Sequence, residues 1–321
     1  MNNRQRLLSA PEWACASALL AAAAGLICCA AGEAAPPRQN ADQGRFMDAH
    51  VHFHDCKAGD LDRAAEWMKS NNVQRVLNYP LAQSRPRNDG ERRQMLENYA
   101  KHKGRIARAC VIFPDEVSSV EEAVKLLAME KQDGAVCFGE HYGENLKFDD
   151  PKNLRLYEAC ARVGLPVMFH YNDKTRNVDE KGMPRLENVL KLYPKCILIA
   201  HGDWWRSISE GSCDRLLGTY PNLYADISCT VGRSPVGRDR KLAKEFFVRH
   251  ADKLLFGTDS GWWSLGNKPT APEFALMDEL QLPKEVEEKI CRKNAERLFG
   301  GGSAGNSSSD GERPAKPGGV Q

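Results

Sequence analysis

Histidine and carboxylate side chains stand at the ends of five apolar runs in this chain. They are His50 and His52 in the first run, Glu140 after the fourth, His170 in the fifth, His201 in the sixth and Asp259 after the eighth. Imidazole and carboxylate are the usual protein ligands of zinc and related divalent ions. One histidine at such a position is usually a packing or capping residue, but an ordered set predicts a metal site.

The first run ends in Asp48-Ala49-His50-Val51-His52. Because side chains alternate along a β-strand, His50 and His52 are expected on the same side of it. The other candidate ligands join this pair only if several strand ends meet in one place. The spacing therefore calls for an architecture that gathers strand ends at one rim.

Eight apolar runs alternate with amphipathic stretches between about residues 45 and 299. The predicted strands are Phe46–His52, Val73–Tyr79, Ile106–Phe113, Ala135–Phe138, Pro166–His170, Ile197–His201, Leu223–Ile227 and Leu254–Gly257. The predicted helices are Asp60–Ser70, Glu91–His102, Val120–Lys131, Leu154–Val163, Leu186–Tyr193, Lys241–His250 and Pro283–Leu298. Continuous hydrophobicity in the strands is typical of parallel strands that are covered on both faces.

This alternation predicts an α/β fold, a single-domain (β/α)8 TIM barrel over residues 45–299. The active sites of such barrels form at the C-terminal ends of the strands, where the candidate ligands stand. A doubly wound open sheet is the alternative, but no glycine-rich phosphate fingerprint follows the first run.

The two ends of the chain differ from this central region. Two arginines precede an apolar run at 18–29 that is too short to span a bilayer, so residues 1–35 are interpreted as a signal peptide. An uncleaved anchor and a lipoprotein leader lipidated at Cys29 are the alternatives, and either would tether the protein to a membrane. We expect an exported protein, whether periplasmic, at the cell surface or secreted. Residues 300–321, rich in glycine, serine and charge, predict a disordered tail.

Charge and cysteine content narrow the classes of function. The 45 basic and 43 acidic residues give a formal net charge of +2, which predicts no nucleic-acid partner. The eleven cysteines include no CxxC pair, which argues against a zinc knuckle. The expected partner is a small-molecule substrate, and the sequence leaves the oligomeric state and any disulfide pairing open.

The motifs together resemble the amidohydrolase superfamily, within it the amidohydrolase-related (amidohydrolase 2) branch of metal-dependent TIM-barrel hydrolases. The matching segments are Asp48-Ala49-His50-Val51-His52, Asp149-Asp150-Pro151, Leu165-Pro166-Val167-Met168-Phe169-His170, Ala200-His201-Gly202, Gly257-Thr258-Asp259 and Asn294-Ala295-Glu296-Arg297-Leu298-Phe299-Gly300. They follow in order across the whole predicted barrel, and the order makes the set more specific than any one motif.

The resemblance implies a role for each candidate residue. His50, His52 and His170 would bind the metal. Asp259 would bind or face it and act as the base, and His201 would bind a second metal or polarise the substrate. A divalent ion lowers the pKa of bound water from about 16 toward 7. A carboxylate within reach can then accept the proton and return it to the leaving group.

Glu140 determines how many ions the site is expected to hold. Two-metal members of the superfamily carry a bridging carboxylated lysine or a glutamate at this strand end, so Glu140 either bridges two ions or lines the substrate pocket of a one-metal enzyme. We favour one ion, zinc first, with manganese, iron or cobalt as alternatives. His54 and His141 are extra candidates, although His54 fits a solvent-facing loop better. Asp226, near the end of the seventh run, is predicted to hydrogen-bond a ligand histidine.

Aromatic and arginine residues follow the same strand ends. Trp204 and Trp262, each in a tryptophan pair, are expected at the rim, where one can stack on a flat substrate. Packing beneath the loops is the alternative for both. Arg206 is a candidate clamp for a substrate carboxylate, as are Arg176, Arg233 and Arg238, unless each is a solvated loop charge.

These features predict a metal-dependent hydrolase that cleaves a C–N or C–O bond in an amide, lactone or ester of a small polar molecule. The alternative is a one-metal decarboxylase of a carboxylated aromatic or related acid, resembling aminocarboxymuconate-semialdehyde decarboxylase. An aromatic, arginine-bearing pocket suits that lyase, whereas the expected export argues against it. A non-catalytic exported binding protein is a third interpretation, against which the presence of both Asp259 and His201 counts.

Overall fold

The computed structural model describes residues 44–171, 174–231, 234–266 and 271–300. The predicted leader with Cys29, the predicted tail beyond Gly300, and Arg233 lie outside these residues. Within the described ranges no helix has the length and apolar character needed to cross a membrane.

The described strands form one closed parallel sheet. They are β1 Phe46–His52, β2 Val73–Asn78, β3 Ile106–Cys110, β4 Ala135–His141, β5 Val167–Tyr171, β6 Leu198–Gly202, β7 Leu223–Asp226, β8 Leu254–Leu255 and β9 Ser260–Gly261. Each strand from β1 to β8 pairs with the next in chain order, and β9 pairs with β1. The last barrel strand is thus split into β8, which pairs with β7, and β9, which closes the ring. The expected (β/α)8 barrel is confirmed.

Helices cover the outside of the barrel. They are α1 Asp60–Ser70, α2 Asp89–Lys101, α3 Val120–Gln132, α4 Pro151–Val163, α5 Pro184–Leu192, α6 Ser212–Thr219, α7 Arg240–Arg249, α8 Pro272–Leu280, α9 Lys284–Glu288 and α10 Asn294–Phe299, with a π-helical segment at Lys289–Lys293. The side chains of Ser119 and Asp150 cap α3 and α4 by accepting from backbone N–H groups. The short helices α6 and α8 were not among the predicted elements.

The core has two layers. Inside the barrel, Met47, Ala49, Cys137, Met168 and Ile199 pack with Leu77, Leu255 and the α10 residues Ala295 and Phe299. The larger layer lies between the strands and the helices. Side chains that continue the inner layer toward the C-terminal ends of the strands reach the rim, which is where the candidate ligands are found.

Two irregularities in strand pairing direct the candidate ligands into the barrel. The register of β1 against β2 shifts between Asp48 and Val51, and that of β4 against β5 shifts between Phe138 and His141. An extra residue in one strand reverses the side to which the following side chains point. Ala49 and His50 can therefore both face inward, and Glu140 faces inward while His141 packs outward against α4.

Candidate metal centre and active site

His50 and His52 place two ring nitrogens against each other at the barrel mouth. The Nε2 atoms of the two rings are 3.0 Å apart. The other nitrogen of each ring is engaged, since Nδ1 of His50 lies 2.6 Å from Oδ2 of Asp226 and Nδ1 of His52 lies 3.0 Å from the carbonyl oxygen of Tyr79. A carbonyl only accepts, so the His52 proton sits on Nδ1. Two Nε2 lone pairs then converge on one point, and the donor set fits a divalent cation there.

Glu140 lies at the centre of the four candidate histidines. Its Oε2 is 3.3 Å from Nε2 of His52 and 3.6 Å from Nε2 of His50. Its Oε1 is 2.6 Å from Nδ1 of His170 and 3.5 Å from Nε2 of His201. The buried carboxylate therefore connects the β1 pair to the histidines of β5 and β6. His170 groups with Glu140 and His201 as potential ligands, whereas His50 and His52 group with Glu140.

Asp259 stands on the solvent side of the cluster. Its Oδ1 is 3.2 Å from Nε2 of His52 and 4.0 Å from Nε2 of His50. The side chain is 26% exposed, whereas those of His50 and His52 are buried. Its amide donates to the carbonyl of His50 over 2.9 Å, so the residue is fixed to β1 by its backbone. Asp259 is thus a carboxylate that both the donor pair and an incoming molecule can reach.

Asp226 contacts two of the histidines at Nδ1, on the side of each ring that faces away from the cluster. Its Oδ2 accepts from Nδ1 of His50, and its Oδ1 lies 3.1 Å from Nδ1 of His201. The hydroxyl of Ser228 donates to the same Oδ1 over 2.7 Å. This buried carboxylate orients both rings so that their Nε2 atoms face the cluster.

The electrostatics of the cluster favour positive charge at its centre. Burial opposes protonation of His52, but Asp259 and Glu140 outweigh it and raise the pKa of His52 to about 9. Burial likewise opposes ionisation of Asp226, but His201 and His50 lower its pKa to about 2. In the same way the histidines hold the pKa of Glu140 well below its ordinary value against the effect of burial. The carboxylates that stabilise a proton on these rings would equally stabilise a divalent cation in its place.

Glycine is needed where β6 ends beside His170. Gly202 has φ +73°, and a Cβ at this position would meet the His170 ring at 3.0–3.3 Å. The backbone therefore approaches the imidazole more closely than a side chain permits.

An aromatic and cationic wall adjoins Glu140. The hydroxyl of Tyr142 donates to Oε2 of Glu140 over 2.8 Å, and its ring lies 5.2 Å from that of His170. The guanidinium of Arg176 lies 4.5 Å from the centre of the Tyr142 ring. On the β1 side, the ring of Trp263 lies 5.8 Å from that of His52. The mouth therefore combines flat aromatic surfaces with the Arg176 guanidinium, which lies against Tyr142.

Four other candidates are placed apart from the donors. His141 is buried and bonds Asn153 of α4, because the irregularity in β4 turns it outward. His54 is exposed and stacks on Trp262, which is 46% exposed at the mouth. Arg206 is largely exposed and pairs with Asp203.

Trp204 differs from the rim position expected for it. Its side chain is 0% exposed and packs edge-on against Trp205, whose Nε1 donates to the carbonyl of Asp226. The two indoles fill the space beneath the loop after β6, because a 3-10 helix at Asp203–Glu210 turns them inward. Trp204 thus serves packing, the alternative that the sequence left open.

Four residues of the site were not among the sequence candidates. They are Tyr79, Tyr142, Ser228 and Cys229, and each stands at or just after a strand end. That position was the available signal, but none of the four is a residue type that by itself predicts a metal site.

The sequence matches the family model described as amidohydrolase over residues 47–301. The chain belongs to this family, and the match covers most of the barrel and all of the candidate ligands. Family membership and the converging donors indicate a metal-dependent enzyme. No curated protein matches the sequence significantly.

Solved structures share the fold at low sequence identity. A probable 2-pyrone-4,6-dicarboxylic acid hydrolase from Acinetobacter baumannii, with citric acid bound, has a TM-score of 0.56 and 14% identity over 80% of this chain and 99% of that one. A dihydroxybenzoic acid decarboxylase from Polaromonas with manganese and 2-nitroresorcinol has a TM-score of 0.53 and 14% identity, covering 79% and 96%. A 5-carboxyvanillate decarboxylase from Sphingomonas paucimobilis has a TM-score of 0.51 and 13% identity, covering 80% and 99%.

Proposed function

We propose that this protein is a metal-dependent decarboxylase of a small, flat carboxylate. The observation that carries the proposal is the position of Arg176, stacked on Tyr142, whose hydroxyl bonds Glu140 at the centre of the donors. A guanidinium pairs well with a carboxylate, and aromatic walls suit a planar ring. The decarboxylases among the structures of similar fold support this choice over hydrolysis.

His50 and His52 would hold a single divalent ion, with Asp259 beside it. Zinc is our first choice because nitrogen donors dominate the set, and manganese is the next. When bound, the ion would withdraw electron density from the oxygens of the substrate. The side chains of His50 and His52 are buried and that of Asp259 is partly exposed, so the substrate would enter on the Asp259 side.

Asp259 is the residue placed to move the proton. Decarboxylation breaks the C–C bond to the carboxylate and leaves the electron pair on the ring carbon, which then takes a proton as carbon dioxide departs. The ionised Asp259 can accept a proton from a substrate hydroxyl and return it to that carbon. His201, held by Asp226 and Ser228, would hydrogen-bond the substrate through Nε2.

The test is carbon dioxide release from a panel of hydroxylated aromatic acids by protein loaded with zinc or manganese. Asp259→Asn is expected to lower kcat by about 10²–10⁴-fold. Arg176→Ala is expected to raise KM by about tenfold or more, as for loss of a charge-assisted hydrogen bond. Arg206→Ala is the matched control, since its side chain pairs with Asp203 and is largely exposed.

Hydrolysis of a lactone, ester or amide is the second candidate. It is favoured by the partly exposed Asp259 carboxylate 3.2 Å from Nε2 of His52, a position suited to a base acting on water. Parallel assays with lactones, esters and amides distinguish the two reactions. Turnover of these substrates without carbon dioxide release from any acid would replace the first proposal with the second.

A further inference from the structure

We propose that His201, Cys229 and Asp259 form a second cation site, separate from that of His50 and His52, which takes a thiophilic divalent ion such as zinc or cadmium. One ligand atom from each of the three residues lies within 4.8 Å of the other two. Imidazole, thiol and carboxylate form a typical donor set for zinc. Cys229 was absent from the sequence candidates because it stands three positions beyond the Asp226 strand end.

The two oxygens of Asp259 face in different directions. Oδ1 lies 3.2 Å from Nε2 of His52, and Oδ2 accepts from the thiol of Cys229 over 3.2 Å. A cation held by His50 and His52 would have Oδ1 within reach and would leave Oδ2 directed at the thiol. The carboxylate is placed to bridge two ions, one on each side.

The backbone brings these side chains together at a conformational cost. Cys229 has φ +60° and Asp259 has φ +54°, both in the left-handed region. That region is disfavoured for residues with a Cβ and is maintained where the surrounding structure requires it. The two turns follow β7 and the β8 segment, which are neighbours in the sheet, and so they direct both side chains toward the same space.

Charge balance also permits a second ion. With ionised Glu140, Asp226 and Asp259 and neutral histidines, a single divalent ion leaves the cluster with one net negative charge. A second divalent ion bound with the Cys229 thiolate brings the cluster to neutrality, and the thiol proton goes to solvent. Buried charge is tolerated best when it is balanced in this way.

Occupation of this site has a consequence that rests on the proposed function. The second ion would engage Asp259 and His201, which the proposed reaction uses. Excess zinc or cadmium is therefore expected to inhibit turnover, whereas the ion at His50 and His52 supports it.

Titration of the metal-free protein with cobalt(II) tests the site itself. The wild type is expected to bind two ions per chain, and the near-ultraviolet sulfur-to-cobalt charge-transfer band should grow with the second. Cys229→Ser should bind one ion and lose the band. Cys56→Ser, a partly buried thiol in the loop after β1, is the matched control and should keep both. A single ion in the wild type, or a band that persists in Cys229→Ser, would overturn the proposal.

Alkylation gives a second measurement that does not depend on a variant. Cadmium should abolish iodoacetamide labelling of Cys229 in the wild type, with peptide mass spectrometry as the readout, and leave labelling of Cys56 unchanged. Equal labelling of Cys229 with and without cadmium would contradict the site. A protein that shows the band and the protection but releases no carbon dioxide would retain this site and lose the proposed function.

Discussion

The carboxylate of Asp226 lies 2.6 Å from Nδ1 of His50, and both side chains are buried. This contact fixes the ring so that Nε2 faces Nε2 of His52. Partners of this kind typically change metal affinity by about 10–100-fold when they are altered. Asp226→Asn should therefore weaken metal binding by about that factor, measured by competition with a chelating dye.

Asp214→Asn is the control for this prediction. Asp214 also lies 2.6 Å from an imidazole, that of His250, but the pair stands between α6 and α7 on the outside of the barrel. Its substitution should leave metal affinity unchanged. Equal affinities in both variants would show that Asp226 does not orient a ligand.

Metal content should distinguish His50 and His52, which face into the barrel, from His141, which faces outward. His50→Ala and His52→Ala each remove one of two converging nitrogens and should lower the metal content by one ion per chain, measured by elemental analysis of the folded protein. His141 lies in the strand that carries Glu140, but its side chain bonds Asn153. The His141→Ala variant should therefore retain the metal. Loss of metal in His141→Ala alone would contradict the placement.

Gly202→Ala should disturb His170 beyond the cost of the backbone conformation. Both Gly202 and Gly211 have φ near +75°, but only at Gly202 does an added Cβ meet another residue, namely the His170 ring. We expect Gly211→Ala to cost about 1 kcal/mol in the free energy of unfolding and Gly202→Ala to cost more and to lower metal affinity. Equal effects in urea unfolding and metal titration would show that the close approach is unimportant.

The buried side chain of Glu273 in α8 should make the free energy of unfolding depend on pH. Burial, together with the carboxylates of Asp259 and Asp48, raises its pKa to about 8, from an ordinary value of 4.5. The native state therefore holds a proton that the unfolded chain loses above about pH 4.5, so this residue lowers stability progressively as pH rises from 4.5 to 8. Glu273→Gln should be indistinguishable from the wild type at pH 4 and more stable by roughly 4 kcal/mol at pH 8.

Unfolding by urea at several pH values measures this difference. Glu97→Gln, at an exposed position of α2, is the control and should show no such trend. A Glu273→Gln variant with a constant advantage at all pH values would point to packing as the cause, since packing does not titrate.

Much of the fold and part of the site followed from the sequence, for identifiable reasons. Continuous apolar runs mark buried parallel strands, so the bounds of β1 and the positions of His170 and His201 could be predicted closely. The irregularities in β1 and β4 could not, because they arise from pairing between strands distant in the chain. They explain why His141, next to Glu140, faces the helices. Trp204 was ambiguous because a tryptophan after a strand end packs or lines a mouth equally well.

The barrel closes between its first and last strands, and His50, His52 and Asp259 lie along that seam. Thr258 bonds Asp48 across 210 positions of sequence, and Asp259 bonds the backbone of His50 beside it. During synthesis the histidine pair leaves the ribosome long before Asp259 is made. A chain released before that point would lack the Asp259 carboxylate beside the two imidazoles, and it would hold an ion less firmly. Tight binding of the cation therefore requires that the chain has been synthesised through Asp259 and that the first and last strands of the barrel have paired.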